Sequence, residues 1–202
     1  MTAPRSLILA SASPRRSEIL ASLGIPFRVV PSAIGEDIRT GETAPAAASR
    51  LAAEKAADVA GRQPSNWVLA ADTLVFFDDG KILGKPADEE DAARMLRVLS
   101  GREHRVVTAV RLRRGPDPGM ELVEISAVRI APLSEQEIAW YVSTGEPRDK
   151  AGAYAVQGKG ARFIESIAGS YSNVMGLPAR GVYALLRDAR DPALSALGLV
   201  SP

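Results

Sequence analysis

The chain has 202 residues, 46% of them hydrophobic, and its 25 basic and 24 acidic side chains leave a net charge of +1. A chain of this size buries about 70% of its unfolded surface, so it needs no disulfide or structural metal to be stable. The near-neutral charge argues against binding nucleic acid or anionic membranes through a global positive field. The chain has no cysteine and a single histidine, His104, which excludes disulfides and cysteine- or histidine-rich metal sites. Any bound metal must therefore be held mainly by carboxylates, which favours a hard cation such as Mg²⁺.

The N-terminal residues 1–6 lack the long apolar core of a signal peptide, and no apolar stretch approaches the ~18 residues of a membrane span. These features predict a soluble cytoplasmic protein. The sequence contains no internal repeat and no evident linker, so we predict one domain over residues 1–202. Its length allows either one large body or two closely joined lobes.

The first third of the chain predicts alternating strands and helices. Residues 7–10 form a short apolar run that indicates a buried strand. A helix is predicted to follow, with Ser13 as its N-cap and Gly24 as its C-terminal stop. A second strand is predicted at 27–30 and an Ala-rich helix at 45–60. This β–α–β–α order favours an α/β fold.

The middle of the chain predicts a hairpin followed by a helix. Residues 67–77 form a nearly continuous apolar run, and the Asp-Gly pair at 79–80 is a strong hairpin-turn signal before a returning strand at 82–84. Acidic residues mark the start of a helix at Asp88, and Ser100 with the following glycine marks its end.

The remaining elements are predicted with signals of different strength. Alternation of apolar and basic side chains from Arg105 predicts a strand, with residues 120–130 as its antiparallel mate. Ser134 and Glu137 form a capping-box pattern for a helix that runs to about Thr144. The other predictions are strands at 153–157 and 163–166, a loop at 172–178 and a last helix at 179–188.

Arg15 and Arg16 are anomalous because they lie in the first turn of a predicted helix. The free amide N–H groups already make that end positive, so each arginine should destabilise the helix by roughly 0.3–1 kcal/mol. A local conflict of this kind is typical of functional sites. An anion would resolve it, because amide N–H groups and guanidinium groups both suit phosphate oxygens. The alternative is that both arginines lie on a solvated face or pair with acids elsewhere.

Asp72 places a carboxylate in the middle of an apolar strand. This position is costly unless the carboxylate is paired, hydrogen-bonded or bound to a metal. Ligands of open α/β sheets gather at strand ends, so an acid there can hold a metal or activate water. Thr73 adds a hydroxyl group on the opposite face of a regular strand. The alternative is that Asp72 merely ends the strand or satisfies a bend.

Other polar residues are weaker candidates. Lys55 and Lys85 could contact phosphate, although single lysines are usually solvated, and Glu36 or Asp37 could supply a second metal ligand. The glycines at 158–160 could let the backbone approach a ligand, but they lack the spacing of a nucleotide-binding motif. His104 is interpreted as a turn or strand-edge residue. Basic groups combined with a few carboxylates suit metal-assisted attack on a phosphate ester.

Ordered sequence blocks extend from residue 9 to residue 178. They are LASASPRR at 9–16, RLAAEKA at 50–56, ADT at 71–73, GKP at 84–86, LSGREHRVVTAV at 99–110, YVSTGEPRDKAGAY at 141–154 and SNVMGLP at 172–178. Together they resemble the Maf-type nucleoside triphosphate pyrophosphatases over nearly the whole chain. The resemblance implies an ITPase-like Maf fold, a single elongated α/β domain of two closely joined lobes around a central mixed, twisted sheet flanked by helices.

The resemblance also implies an activity. Maf-type enzymes hydrolyse a nucleoside triphosphate between its α and β phosphates and release the monophosphate and pyrophosphate, with a divalent metal such as Mg²⁺ or Mn²⁺. The resemblance suggests a homodimer and gives no indication of a nucleic acid or membrane partner. On the matching positions, Asp72 would be catalytic, as a general base or a metal-side carboxylate, and Glu36 would be a second metal ligand. The usual acidic pair is Gly35 and Glu36 here, so whether Glu36 or Asp37 serves is left open.

The implied substrate-binding residues are Ser13, Arg15, Arg16, Lys55, Thr73, Lys85 and Gln157. Among them, Arg15, Thr73 and Gln157 would mark the subgroup that prefers dTTP and UTP, with modified pyrimidine nucleotides as further substrates. A glutamine is both donor and acceptor, so it can read the carbonyl and imide edge of a pyrimidine. The alternatives are a 7-methylguanosine triphosphate pyrophosphatase and a nucleotide-binding regulator of septum formation.

Overall fold

The apolar runs of the chain form the strands of one mixed sheet in the computed structural model, which describes residues 7–195. The predictions for residues 1–6, and the ends of the predicted 1–202 domain, lie outside the described residues. The strands are β1 (Leu7–Leu9), β2 (Phe27–Val29), β3 (Trp67–Phe76), β4 (Ile82–Leu83), β5 (Glu103–Arg114), β6 (Met120–Ile130) and β7 (Ile164–Ala168). The helices are α1 (Pro14–Ser22), α2 (Ala44–Arg62), α3 (Glu89–Leu99), α4 (Glu135–Ser143), α5 (Tyr171–Met175), α6 (Ala179–Asp188) and α7 (Pro192–Ser195).

The strand order is β2-β1-β3-β5-β6-β7, with β4 paired to β3. Strand β1 runs parallel to both β2 and β3, whereas the pairs from β3 onward are antiparallel. The last residue of β1, Leu9, pairs with Leu69, three residues before Asp72 of β3. The predicted α/β class with a mixed sheet is therefore confirmed.

Helices cover both faces of the sheet because successive strand residues point to opposite sides. On one face, Ile8 and Val68 pack against the small residues of α2, including Ala56. Its alanines leave room for the helix to lie close to the sheet, so α2 is almost wholly buried along one side. On the other face, Leu9 and Leu69 pack against α1 and α6. None of the helices among residues 7–195 has the length and apolar character needed to cross a bilayer.

Two predicted elements are wrong. Residues 153–157 do not form a strand: a 3₁₀ turn at Ala151–Ala153 precedes them and another, at Gly158–Phe163, follows. Gly152 and Gly158 have positive φ angles and turn the backbone away from the sheet at both ends of the segment. Residues 172–178 are not a loop throughout, because α5 covers Tyr171–Met175 and is capped by the Ser170 hydroxyl. The strand predicted at 163–166 is present as β7.

The turn between β5 and β6 provides a test of the packing. Gly119 has φ +75° and its backbone lies so close to β5 that an added Cβ would be 2.1 Å from the Leu112 carbonyl oxygen. We expect Gly119→Ala to lower the free energy of unfolding by roughly 3 kcal/mol, because strain and overlap add. The matched control is Gly80→Ala, where φ is +87° but nothing lies within 4 Å of the added Cβ. It should cost about 1 kcal/mol. Equal losses in urea denaturation would contradict the close approach.

Candidate active site

A cavity of about 460 Å³ opens beside the C-terminal end of β1 and the second half of β3. Its walls come from the start of α1, the loop before α2, Lys55 of α2, β3, Lys85, residues 149–156 and the end of α5. Most of the predicted site residues line it: Ser13, Arg15, Arg16, Glu36, Lys55, Asp72, Thr73 and Lys85. Elements far apart in the sequence therefore meet at one place.

The first turn of α1 explains the anomalous arginine pair. The prediction that Ser13 is the N-cap residue is confirmed, although its side chain makes no capping hydrogen bond. The Arg16 guanidinium is held by the chain itself: Nε donates to the Gly176 carbonyl (2.8 Å), Nη1 to Ser11 Oγ (3.2 Å) and Nη2 to Thr73 Oγ1 (3.0 Å). These bonds use three of its N–H groups and leave the others for a ligand in the cavity. Arg16 is thus fixed before any ligand binds.

Arg15 differs from Arg16. It lines the same cavity, but its side chain makes no hydrogen bond to any residue in the described part of the chain. Its charge acts on Asp149 and on the hydroxyl group of Tyr141, at the wall formed by residues 149–156. The two arginines therefore face different parts of the cavity.

Lys55 joins the two candidate carboxylates. Its ammonium donates to Asp72 Oδ1 (2.7 Å) and to Glu36 Oε1 (2.5 Å), while Lys85 donates to the other Glu36 oxygen (2.5 Å). Lys55 and Asp72 are only 6% and 4% exposed. The side chain of Asp37, in contrast, is exposed and does not line the cavity. The geometry thus places Glu36 rather than Asp37 beside Asp72.

The environments of Asp72 and Glu36 shift their pKa values in opposite directions. Burial raises the pKa of Asp72 above its ordinary value, although Lys55 and Arg16 oppose this effect. For Glu36, burial also acts to raise the pKa, but the hydrogen bonds from Lys55 and Lys85 outweigh it and hold the pKa at about 2. Such divergence is typical of paired carboxylates with different chemical roles. Asp72 is the better proton acceptor, and Glu36 stays ionised.

The hydroxyl group of Thr73 belongs to a buried polar network that was not predicted. It accepts from Arg16 and lies 3.0 Å from the Thr108 hydroxyl, which in turn donates to the Asn173 carbonyl (3.0 Å). Thr108 and Asn173 are both 0% exposed. The only signal for them in the sequence was their position inside the Maf-like blocks. This network fixes the side of the Arg16 guanidinium that faces β3.

Residues 154–160 differ most from the predicted site. Gln157 is half-buried and does not line the cavity, whereas Tyr154 and the two residues after it do. The backbone N–H groups of Lys159 and Gly160 do not face a ligand, because both donate to the Glu146 carboxylate (3.0 Å each). Residues 158–160 also do not line the cavity, so the structure gives no support to the hypothesis that they approach a ligand.

His104 lies in β5, inside the core, so the interpretation as a turn or strand-edge residue is wrong. It is 1% exposed, and its Nε2 lies 2.7 Å from the Tyr154 hydroxyl oxygen. Burial lowers its pKa to about 4. His104 is thus neutral near pH 7 and supports Tyr154 from behind the cavity wall.

The side chains of the cavity show how a divalent metal could be held. Within residues 7–195, no cluster of three or more Asp, Glu, His or Cys side chains could hold a metal ion by itself. Glu36 and Asp72 both contact Lys55 Nζ, which places two carboxylates at one point of the cavity. Mg²⁺ is commonly held by one or two carboxylates together with substrate phosphates and water. The residues fit a cation that is bound jointly with phosphate, and they do not fit a cage made of protein alone.

Comparison with known proteins now decides the family. A family model described as Maf-like protein matches residues 6–189. The chain belongs to the Maf family. The resemblance seen in the sequence blocks is therefore confirmed, and each of those blocks contributes at least one residue to the walls of the cavity.

Curated Maf relatives are similar to this chain over most of its length. A dTTP/UTP pyrophosphatase of Anaeromyxobacter sp. (strain Fw109-5) is 50% identical over 190 residues, covering 92% of this chain and 90% of the relative. A dTTP/UTP pyrophosphatase of Koribacter versatilis (strain Ellin345) is 49% identical over 185 residues, covering 91% and 94%. A solved structure of a HAM1 protein from Coxiella burnetii covers 96% of both chains at 18% identity, with a TM-score of 0.47. The fold class itself rests on the strand order and helix packing described above.

Proposed function

We propose that this Maf protein hydrolyses dTTP and UTP between the α and β phosphates and releases the monophosphate and pyrophosphate. The observation that carries the proposal is the ammonium of Lys55 between Asp72 and Glu36, in the same cavity as the fixed guanidinium of Arg16. Relatives about half identical in sequence that bear the name dTTP/UTP pyrophosphatase support the choice of substrate.

The positive groups of the cavity would bind the triphosphate. The uncommitted N–H groups of Arg16 and the free backbone N–H groups at the start of α1 are donors that suit phosphate oxygens. Lys55 of α2 and Lys85, which follows β4, add charge to the cavity, and Ser13 and Arg15 line it at the start of α1. Because Arg16 is already held by three hydrogen bonds, little reorganisation is needed when the phosphate charge develops.

Asp72 would act as the general base. Water attacks the α phosphorus and its proton passes to Asp72. The bond from the α phosphorus to the bridging oxygen breaks, so that pyrophosphate leaves with the electron pair. Burial raises the pKa of Asp72, which makes it a better proton acceptor than Glu36. A divalent cation, held by Glu36 and Asp72 together with phosphate oxygens, would neutralise charge on the phosphates and make water more acidic.

The nucleobase would lie against the apolar part of the cavity. Tyr154, Ala155 and Val156 line that wall, and Gln157 follows directly. The charge of Arg15 acts on Asp149, which also lines the cavity, and on Tyr141. Arg15 and Thr73 line this cavity, and Gln157 directly follows the residues of its wall. We therefore assign the preference for pyrimidines to these three residues, since a site that hydrogen-bonds a base leaves buried groups unpaired when the wrong base enters.

A triphosphate panel tests the proposed function. Purified protein with Mg²⁺ or Mn²⁺ should release pyrophosphate from dTTP and UTP with kcat/KM at least about tenfold higher than from GTP, ATP or 7-methylguanosine triphosphate. Pyrophosphate detection measures the reaction, and omission of the metal with a chelator should reduce it strongly. Preferred cleavage of 7-methylguanosine triphosphate, or nucleotide binding without cleavage, would contradict the proposal.

A further inference from the structure

Buried Tyr141 and half-buried Glu146 form a hydrogen-bonded pair next to the cavity wall. The Tyr141 hydroxyl donates to Glu146 Oε1 (2.9 Å) and accepts from the backbone N–H of Ala155 (3.1 Å). The Glu146 carboxylate accepts in addition the backbone N–H groups of Lys159 and Gly160. Tyr141 is 0% exposed, and neither side chain of the pair lines the cavity. The pair therefore holds the segment 155–160 at both ends.

The glycines of this segment show independently how closely the backbone approaches the pair. An added Cβ at Gly158, where φ is +67°, would lie 2.8 Å from Glu146 Oε2. An added Cβ at Gly160 would lie 2.5 Å from the Tyr141 hydroxyl oxygen and 2.4 Å from the Ala155 carbonyl oxygen. A side chain at either position would displace the contact, so the glycines are required by the pair rather than by a ligand.

The segment held in this way forms a wall of the cavity. Ala155, whose N–H is bonded to Tyr141, lines the cavity together with Val156. Gln157 lies between the two points of attachment, two residues after Ala155 and two residues before Lys159. A shift of either attachment would move the backbone of Gln157 and the apolar wall, but not Asp72, Lys55 or Arg16, which are held by other contacts.

From this geometry, and resting on the proposed function, we infer that Tyr141 and Glu146 are positioning residues for nucleobase selection. They hold Gln157 and the wall at 155–156 in register with the base and do not touch the substrate. The phosphate-binding and proton-accepting groups lie on α1, α2 and β3. The pair therefore acts on which base is accepted and leaves the chemistry of the anhydride unchanged.

Tyr141→Phe tests the inference by removing only the hydroxyl group. UTP and CTP are the substrates to compare, because they have the same ring size and differ at the edge that Gln157 would read. We expect the ratio of kcat/KM for UTP to that for CTP to fall at least about tenfold, mainly through a higher KM for UTP, with kcat little changed. Tyr183→Phe on α6 is the matched control, since Tyr183 neither lines the cavity nor makes a hydrogen bond to residues 155–160, and it should keep the wild-type ratio.

Glu146→Gln provides a second variant that keeps the size of the side chain. An amide has one acceptor oxygen where the carboxylate uses two, so at least one attachment of the segment is lost while the fold is retained. The same loss of selectivity is expected, with thermal melting to show that each variant is folded.

An unchanged UTP/CTP ratio, or an equal loss of kcat for both nucleotides, would overturn the inference. Failure of the wild-type protein to cleave any nucleotide would instead refute the proposed function, and it would be seen before any variant is measured.

Discussion

Asp72→Asn is expected to reduce kcat for pyrophosphate release from dTTP and UTP by about 10³-fold while the protein stays folded. The amide cannot accept the proton of the attacking water, yet it has nearly the shape of the carboxylate and can still accept a hydrogen bond from Lys55. Burial raises the pKa of Asp72, so the charge that is removed is one the fold partly disfavours. The thermal midpoint should accordingly change little.

The control for this variant is Asp78→Asn, the same chemical change six residues along the chain. Asp78 is exposed after the end of β3 and makes only a surface ion pair with Arg105. Such pairs contribute little to stability, so both activity and thermal midpoint should match those of the wild-type protein. Turnover of UTP by Asp72→Asn at more than about a tenth of the wild-type rate would refute the assignment of Asp72 as the base.

Lys55→Met is expected to lower the free energy of unfolding by about 3–5 kcal/mol and to abolish turnover. The methionine fills a similar volume, but it leaves the buried Asp72 without its 2.7 Å ammonium partner. It also removes one of the two lysines that hold Glu36 in the ionised state. An unpaired buried charge is costly, whereas a buried pair compensates much of the cost of desolvation. Lys81→Met, at an exposed turn lysine, should be nearly neutral.

The pH dependence of this variant follows from the same contacts. Lys55 lowers the pKa of both Asp72 and Glu36, so its interactions stabilise the fold only while the carboxylates are ionised. The stability deficit of Lys55→Met should be largest near neutral pH and should shrink as acid protonates these groups. Adding Asp72→Asn to Lys55→Met should recover part of the lost stability, because the orphaned charge is then absent. Urea denaturation at several pH values measures both effects, and a deficit that grows in acid would contradict the pairing.

Many elements could be predicted from the sequence because their signals lie within a few residues. The capping box of Ser134 and Glu137 is present at the start of α4, and the Asp-Gly pair at 79–80 turns β3 into β4. The arginine pair at the start of α1 and the carboxylate inside β3, which could be identified from residue type and local pattern, line two walls of the cavity. Each of these signals is a local conflict or a local turn preference, and a turn or a helix end depends mainly on its immediate neighbours.

Other features depend on contacts between distant parts of the chain. The segment 153–157 contains residues compatible with a strand, but none of the strands within residues 7–195 pairs with it, and the glycines around it turn the backbone away. Gly158 and Gly160 suggested that the backbone approaches a ligand, but the backbone N–H groups of Lys159 and Gly160 donate to the Glu146 carboxylate. The sequence shows that a hydrogen-bond donor is present, but only the tertiary structure shows which group accepts its bond.

The site itself shows the same division. Residue types and local patterns indicated Arg16, Asp72 and Lys55 as candidates for phosphate chemistry, because a charge in an apolar or already positive setting requires a partner. Which partner each one has depends on the order of strands: Arg16 reaches the carbonyl of Gly176, 160 residues away, and Lys55 bridges Glu36 and Asp72 from a neighbouring layer. Only the folded sheet, with β1 beside β3 and α2 packed across them, brings these groups within hydrogen-bond distance, since distances of that kind are set by packing and not by spacing along the chain.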